Sequence, residues 1–520
     1  MQRRARGLRA GDLRLVAASC AAALVAGCGA PRPADDEIVV LIEQMPGDLD
    51  PRLAATAYGS KIAHLVCAPL VSLDNERSEP QMELAESVTQ EDEATYLVRL
   101  RDARFSDGRP VRAQDVRFTI ESLRGPATRS PFRSSWERVE SIAIVDDRTL
   151  RLRLREPHAP FLTDLDLGIV PEGLRAGDPL VGAGPFRLAQ RDASALVLER
   201  NPHYFGGAVA PRRVIVRVIR DDNARLLALV GGSADLTQNT VPQTLLAALA
   251  KSPRVKLTSG PSNSLTYLGM NLDDPALRDV RVRRALAHAI DRERIVRTKL
   301  AGRAVLATGM LAPGHWAYSG DVPRYAYDPA RARRLLDDAG LRDPDGDGPA
   351  PRLRLSYKTS SNRFRVALAR VLARQLAEVG IEAEVRSYEF ATFFDDVRKG
   401  NFQLVTMQVT EVGEPQYLHR FFHSSSIPTA ARPDAGNNRW RYRDAEVDRL
   451  LDEGRRAPDR EARRAAYKVV QRRLAEDLPI VPLYHEDNVV VARRALRGYA
   501  PIPNARFTHL WRASKRRLAQ

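Results

Sequence analysis

A chain of 520 residues exceeds what one hydrophobic core usually supports, so two or more lobes are expected. Its hydrophobic content of 44% is ordinary for a globular protein and excludes a wholly disordered chain. The formal charge of +16 raises the possibility of a nucleic-acid partner. Yet the Arg residues are dispersed among Asp and Glu, with no basic run before Lys515-Arg516-Arg517. That pattern argues against nucleic acid and is better suited to anionic lipid headgroups.

Residues 1–27 read as an address rather than a fold. Arg3, Arg4, Arg6, Arg9 and Arg14 form a positive leader. Leu15 to Ala26 is an apolar run of small residues, too short to span a bilayer. The run ends Val25-Ala26-Gly27-Cys28, a lipobox, so Cys28 is expected to carry acyl chains that hold the protein on a membrane. Gly29 follows Cys28 and leaves open which membrane that is. The leader removes +4 of the charge, leaving about +12 on the mature chain. Cys20 is lost with the leader and Cys28 is lipidated, so Cys67 stands alone without an intramolecular disulfide. It lies among apolar residues and reads as a small buried hydrophobe.

Residues 28–36 form a Pro-containing tether, and Glu37–Ile42 is the first strand-like run. A helix is expected over 113–123, with Val116, Ile120 and Leu123 on one face. The alternation in Thr149–Arg155 predicts a half-exposed antiparallel sheet. Phe186–Leu188 and Leu196–Glu199 read as a hairpin. A β-branched strand, Val214–Ile219, precedes a helix capped by Asp222 and ended by Gly231-Gly232; another strand begins at Ala234. That order requires a crossover and parallel pairing. Asp279 and Asp291 read as N-caps of successive helices, the first burying Val282, Ala285, Leu286, Ala289 and Ile290. Leu353–Tyr357, Arg365–Val379 and Ile381–Val385 repeat the strand–helix–strand pattern, with Gly380 as a C-cap. Strands near Tyr267–Asn271 and Pro479–Tyr484 are expected to cross between the lobes, placing a ligand cleft between them.

The chain carries no Walker loop, G-x-S-x-G or H-E-x-x-H, and its nine His are scattered without ligand spacing. Asp343-Pro-Asp345-Gly-Asp347-Gly348 opens like a calcium loop, but Arg354 stands at the twelfth position, where a bidentate Glu is needed. The expectation is a binding protein, not an enzyme, with no resident cofactor and no metal.

Four ordered segments carry a family resemblance. They are Phe105-Ser-Asp-Gly-Arg-Pro110 with Ala113-Gln-Asp-Val116; Gly182-Ala-Gly-Pro-Phe186 with Arg200-Asn-Pro-His-Tyr-Phe205; Asn271 with Asp279-Val-Arg-Val-Arg-Arg-Ala-Leu-Ala-His-Ala-Ile-Asp-Arg292; and Glu476-Asp-Leu-Pro-Ile-Val-Pro-Leu-Tyr484. Together they resemble the family 5 extracellular solute-binding proteins, the dipeptide- and oligopeptide-binding lipoproteins of ABC importers. The resemblance implies a two-lobed α/β periplasmic binding protein of type II, with an extra α+β subdomain. It implies lobe I from 37–58, 180–268 and 484–520, the subdomain from 59–179, and lobe II from 269–483. It also implies a monomeric, extracytoplasmic receptor with three kinds of partner: a peptide ligand, an ABC permease with its ATPase, and a membrane reached through the lipid.

In peptide-binding relatives a "W-x-x-D-Y-x-D-P" stretch lies at the cleft, its first Asp meeting the peptide ammonium. Here the aligned residues run from Gln408 through Glu411 and Glu414 to Pro415, with Gln408 and Val412 replacing aromatics. Glu411 and Glu414 are therefore expected ligand carboxylates, and Gln408 an altered wall. Asn438 and Trp440 align with a polar stretch that often lines the cleft. Tyr267, Met270 and Asn271 lie on the expected crossing strand, whose edge could pair with an extended ligand. An oligosaccharide, opine or chelated-metal ligand, and a sensor or chaperone role, remain open on this reading.

Overall fold

β-Branched and apolar runs build two sheets joined by the chain, and the computed structural model describes residues 33–515 apart from 347, 433–434 and 458. Cys28 and the leader lie outside the described residues. The first sheet has seven strands. In spatial order they are Val255–Gly260, Asn488–Arg493, Leu236–Gln238, Glu37–Ile42, Arg213–Val218, Ala195–Arg200 and Phe186–Arg191. Glu37–Ile42 runs parallel to both Arg213–Val218 and Leu236–Gln238, the pairing that the strand–helix–strand order requires. The helix between them is capped by Asp221, one residue before the expected Asp222, because the Asp221 side chain accepts from the Ala224 amide. Gly232, with φ 87°, ends it in the left-handed conformation.

The second sheet has six strands, in the order Ala304–Leu306, Ile480–Glu486, Leu265–Met270, Leu404–Val409, Leu353–Ser360 and Ile381–Tyr388. Leu353–Ser360 pairs parallel with Ile381–Tyr388, and Gly380 turns between helix and strand with φ 84°. Asp279 and Asp291 cap the two helices expected of them, and the five apolar residues of the first are buried against this sheet.

The chain passes from the first sheet to the second between Gly260 and Leu265 and returns at Asp487, between Glu486 and Asn488. The expected crossings at Tyr267–Asn271 and Pro479–Tyr484 are thus corrected. Both of those segments lie inside the second sheet, and the polar residues just outside it make the passage.

A four-stranded antiparallel sheet (Ala85–Asp92, Thr95–Leu100, Thr149–Leu154, Val139–Asp146) packs under the helix Ala113–Arg124 with its own core. Its alternation of buried and exposed residues is that of a sheet with one wet face. Cys67 is fully buried and burial pushes its thiol well above the usual range, so it is a packing residue. No described helix is long and apolar enough to cross a membrane.

The motif residues prove to be joinery. The amide of Ser106 donates to the carbonyl of Gly182, linking the first motif to the second. A Cβ on Gly182 would sit 2.1 Å from the Val66 carbonyl, so only glycine fits. Arg283 is 5% exposed and donates to the carbonyls of Leu277, Arg278 and Asp477. Arg292 likewise donates to those of Ala307, Tyr325 and Pro482, tying the third motif to the fourth.

Candidate functional site

Two cavities lie between the lobes, the larger of them also walled by the subdomain. The larger, about 510 Å³, is walled by the four-stranded subdomain (Arg138, His158), the carboxy-terminal part of the first lobe (Arg506) and the second-lobe segment 411–436. The smaller, about 310 Å³, lies beside the crossover and takes Tyr58, Lys61, Asn239, Gln408 and Glu486 into its wall. Both volumes fall near the range of small-molecule sites. Glu411 lines both.

Glu411 follows the strand Leu404–Val409 and holds φ at +66°, a conformation that costs a non-glycine residue about 1 kcal/mol or more. Ser78, Asn239 and Ala505, which also line these cavities, share positive φ. Backbone strain concentrated around a cavity is a mark of a functional site. The half-buried Glu411 carboxylate has no hydrogen-bond or ion-pair partner among the described residues.

The other expected site residues divide sharply. Gln408 lines the smaller cavity, accepting from Arg365 Nη2 at 2.9 Å and donating to Glu486 Oε2 at 2.7 Å. Glu414 lines the larger one but is 4% exposed and already ion-paired with Arg463. Burial pushes its carboxyl up to about 7, against the pull of the Arg463 guanidinium.

Trp440, Asn438, Tyr267, Met270 and Asn271 line neither cavity. Trp440 is fully buried; its Nε1–H donates to the Phe421 carbonyl at 2.8 Å, and its ring meets Tyr267 edge-on at 5.2 Å. The Asn438 amide donates to the carbonyls of Phe422, His423 and Tyr442. Met270 lies in the core, and Asn271 ties down the carbonyls of Gly400 and Phe402. The expected edge for strand addition does not exist, because Leu265–Met270 is flanked on both sides by Leu404–Val409 and Ile480–Glu486. Its backbone groups are already spent on its neighbours.

Sequence reasoning missed the opposite wall. Arg506 pairs with Asp166 at 2.7 Å and with Asp74 at 3.1 Å, and His64 meets Asp166 at 3.2 Å. These four come from distant parts of the chain and from no motif; an Arg among many Arg gives no signal. Contacts also cross between the subdomain and the second lobe: Arg460 to Glu79 at 2.6 Å, and the Ala159 amide to the Arg455 carbonyl at 2.8 Å.

Ligand atoms of His419, His423 and Asp452 lie within 4.8 Å of one another, an arrangement with metal-ligand chemistry. Arg455 Nη1, however, stands 3.1 Å from His419 Nε2, and the Ser425 amide donates to His423 Nδ1 at 3.0 Å. His419 and His423, four residues apart, correct the reading of His scattered without ligand spacing, although a cation there would face a guanidinium.

The model of the bacterial extracellular solute-binding proteins, family 5 Middle, matches residues 79–428. The chain belongs to that family. The family 5 member is 28% identical over 453 residues to the oligopeptide-binding protein AppA of Bacillus subtilis, covering 82% of each chain. The structure of AppA in complex with a nonapeptide superposes with a TM-score of 0.77 at 25% identity, over 92% of this chain and 99% of that one. NikZ from Campylobacter jejuni in complex with Ni(L-His) superposes with a TM-score of 0.80 at 25% identity, over 93% of this chain and all of NikZ. The two-lobed solute-binding fold is therefore shown, and the chain is a family 5 solute-binding protein of the ABC-importer kind, whose relatives bind rather than transform their ligands.

Proposed function

We propose that this protein is the lipid-anchored receptor of an ABC importer, capturing peptides between its lobes and passing them to the permease. The observation that carries the reading is Glu411, a half-buried carboxylate on strained backbone at the junction of both cavities, within the fields of Lys61 and Arg506 but hydrogen-bonded by its side chain to no described residue. A peptide ammonium supplies the missing partner through a charge-assisted hydrogen bond. Contacts from both lobes exist together only when the lobes are closed, so ligand shifts the population toward closure. The lipobox at Cys28 supplies the anchor, and Cys28→Ala is expected to abolish labelling by radioactive palmitate. The domain bounds expected from the sequence fit this reading once the crossings are moved to 261–264 and Asp487.

Native mass spectrometry of residues 29–520 tests the ligand class. A set of short peptide masses supports the proposal. A single non-peptide mass moves the ligand toward a metal chelate or opine, a reading supported by His158 and His419 in the larger cavity and by NikZ binding Ni(L-His).

A further inference from the structure

The end of the first sheet remote from the cavities gathers cations that no described acid pairs with. The strand Glu37–Ile42 starts at that end and delivers Glu43 and Gln44 to the smaller cavity at the other, about 20 Å away for six residues. At the starting end Glu37 lies opposite Arg213, and Val255, first in the edge strand, lies opposite Arg493. Lys251 caps the helix Gln243–Ala250 that precedes the edge strand, and the Arg494 amide donates to the Arg254 carbonyl at 3.1 Å. Leu496–Arg497 pairs with Ser514–Lys515, turning Leu496 and Lys515 inward and Arg497 outward. Lys251, Arg254, Arg494, Arg497 and Arg512 are all exposed, and none is ion-paired with a described carboxylate. Arg254 and Arg494 reach only the carbonyls of Val230 and Ser252, and Arg512 lies over the Trp511 ring at 4.3 Å. On the four-stranded sheet, by contrast, Arg99, Arg151 and Arg153 each hold a glutamate at 2.6–3.0 Å. The acids at the basic end are Asp35, Asp36 and Glu37, and Arg212 engages the last two, each at 2.8 Å.

The tether enters at this same end. The Pro33 carbonyl lies 3.5 Å from Lys515 Nζ, and Cys28 precedes Pro33 by a stretch of chain that spans at most about 17 Å. We propose that this basic end of the first lobe is a docking surface for an anionic phospholipid bilayer, the membrane that holds the acylated Cys28. The proposal rests on the lipobox reading for the tether but not for the surface itself. So short a tether keeps the cations close to the headgroups, where screening over about 10 Å at 0.1 M salt leaves their attraction intact. Lipid phosphates supply the anions that the protein withholds, and a guanidinium grips phosphate oxygens through two parallel hydrogen bonds. Arg and Lys keep their charge across physiological pH, so docking answers to salt and lipid charge rather than to acid. The acyl chains fix the protein to the membrane, and the cations fix which way up it sits. Docked in this way, the cavities lie at the far end of the sheet and face away from the bilayer. The receptor gathers solute from the aqueous side, and lipid charge sets how readily it leaves the surface to deliver that solute.

Protein of residues 29–520 lacks Cys28 and its acyl chains, so vesicle sedimentation reads the surface alone. It is expected to partition onto phosphatidylcholine vesicles containing about 40% phosphatidylglycerol at about 50 mM salt, and not onto pure phosphatidylcholine. Raising the salt to about 300 mM is expected to weaken that partition about tenfold or more. The triple variant Arg494→Gln, Arg497→Gln, Arg512→Gln is expected to lose about 10- to 100-fold in partition at unchanged unfolding temperature. A control triple, Arg363→Gln, Arg370→Gln, Arg374→Gln, removes the same charge from exposed positions on the second-lobe helix Arg363–Ala377. Its loss is expected to stay below about threefold. If the first triple fails to fold, Lys251→Gln with Arg254→Gln takes its place, with an expected loss of about fivefold or more. Wild-type protein that ignores anionic vesicles, or that binds both vesicle types alike, overturns the proposal, and so does a control triple that loses as much as the variant of the basic end. The anchor is judged separately by palmitate labelling: an unlabelled Cys28 with vesicle partition intact overturns the lipobox reading and leaves the docking surface standing.

Discussion

Two arginine-bearing regions of the same lobe use charge in opposite ways. On the helix Val280–Ala289, Arg283 is buried with its donors spent on three carbonyls, so it welds one motif to another. On the helix Tyr417–Phe422, Arg420 turns to the larger cavity a guanidinium with no hydrogen-bond or ion-pair partner among the described residues. Both look alike in sequence, an Arg on an amphipathic helix. The difference teaches that packing, not residue type, decides whether an Arg is spent on carbonyls or left open to the cavity. Glu414 and Glu411 repeat the contrast three residues apart, one ion-paired and buried, the other half-buried with its carboxylate hydrogen-bonded to no described residue.

The largest effect that could break this division is at Trp440. As a core residue with its indole N–H satisfied, Trp440→Ala should cost about 3–5 kcal/mol of stability, read by urea denaturation. A variant that stays stable and loses ligand instead would return Trp440 to the cleft. Arg283→Met strands three carbonyls, that of Leu277 buried, and should cost about 3 kcal/mol, with any remaining folded protein binding ligand normally.

Acid offers a comparable lever. Burial holds the His485 and His315 imidazoles at about 4, and each is neutral in the fold. The unfolded chain takes up protons on both below about 6.5, so stability present above that pH should fall as pH drops from 6.5 toward 4. Each contributes on the order of 3 kcal/mol over that window. His485→Gln should flatten the thermal-unfolding profile across it, and an unchanged slope would remove His485 from the account.

Effects confined to binding come next. Glu411→Gln should weaken a free-amine peptide by about 1.5–3 kcal/mol, leave an N-acetylated one unchanged, and spare stability. Equal losses for both peptides would show that Glu411 shapes the cleft without meeting the amine. The smallest effect is Arg420→Met on stability, expected within about 0.5 kcal/mol. A large destabilisation there would erase the contrast with Arg283.

Much of the fold was legible because its signals are local. Asp279 and Asp291 cap helices through amides two and three residues away, and the alternation of Thr149–Leu154 needs only its own strand. The crossings were misplaced because Tyr267 and Tyr484 read as boundary residues, while pairing on both sides made their strands central. Gln408 and Glu411 were found from the family pattern. The subdomain wall was not, because His158 and Arg138 gain meaning only when the second lobe lies opposite.

By itself, then, the sequence determined the family, the strand–helix–strand order, the helix caps and the glycines where backbones touch, since each depends on neighbours in the chain or on a fixed motif. Only the tertiary structure decided which polar and aromatic side chains face the ligand. Trp440 and Asn438 have the composition of a binding wall, yet their donors are consumed by carbonyls 4–19 residues away. Glu411 and Arg420 have the composition of ordinary surface charges, yet the packing of three units leaves their side chains without a hydrogen bond to any described residue at the edge of a shared cavity. Whether a hydrogen-bonding group is satisfied is a property of everything folded around it, and no local pattern encodes that.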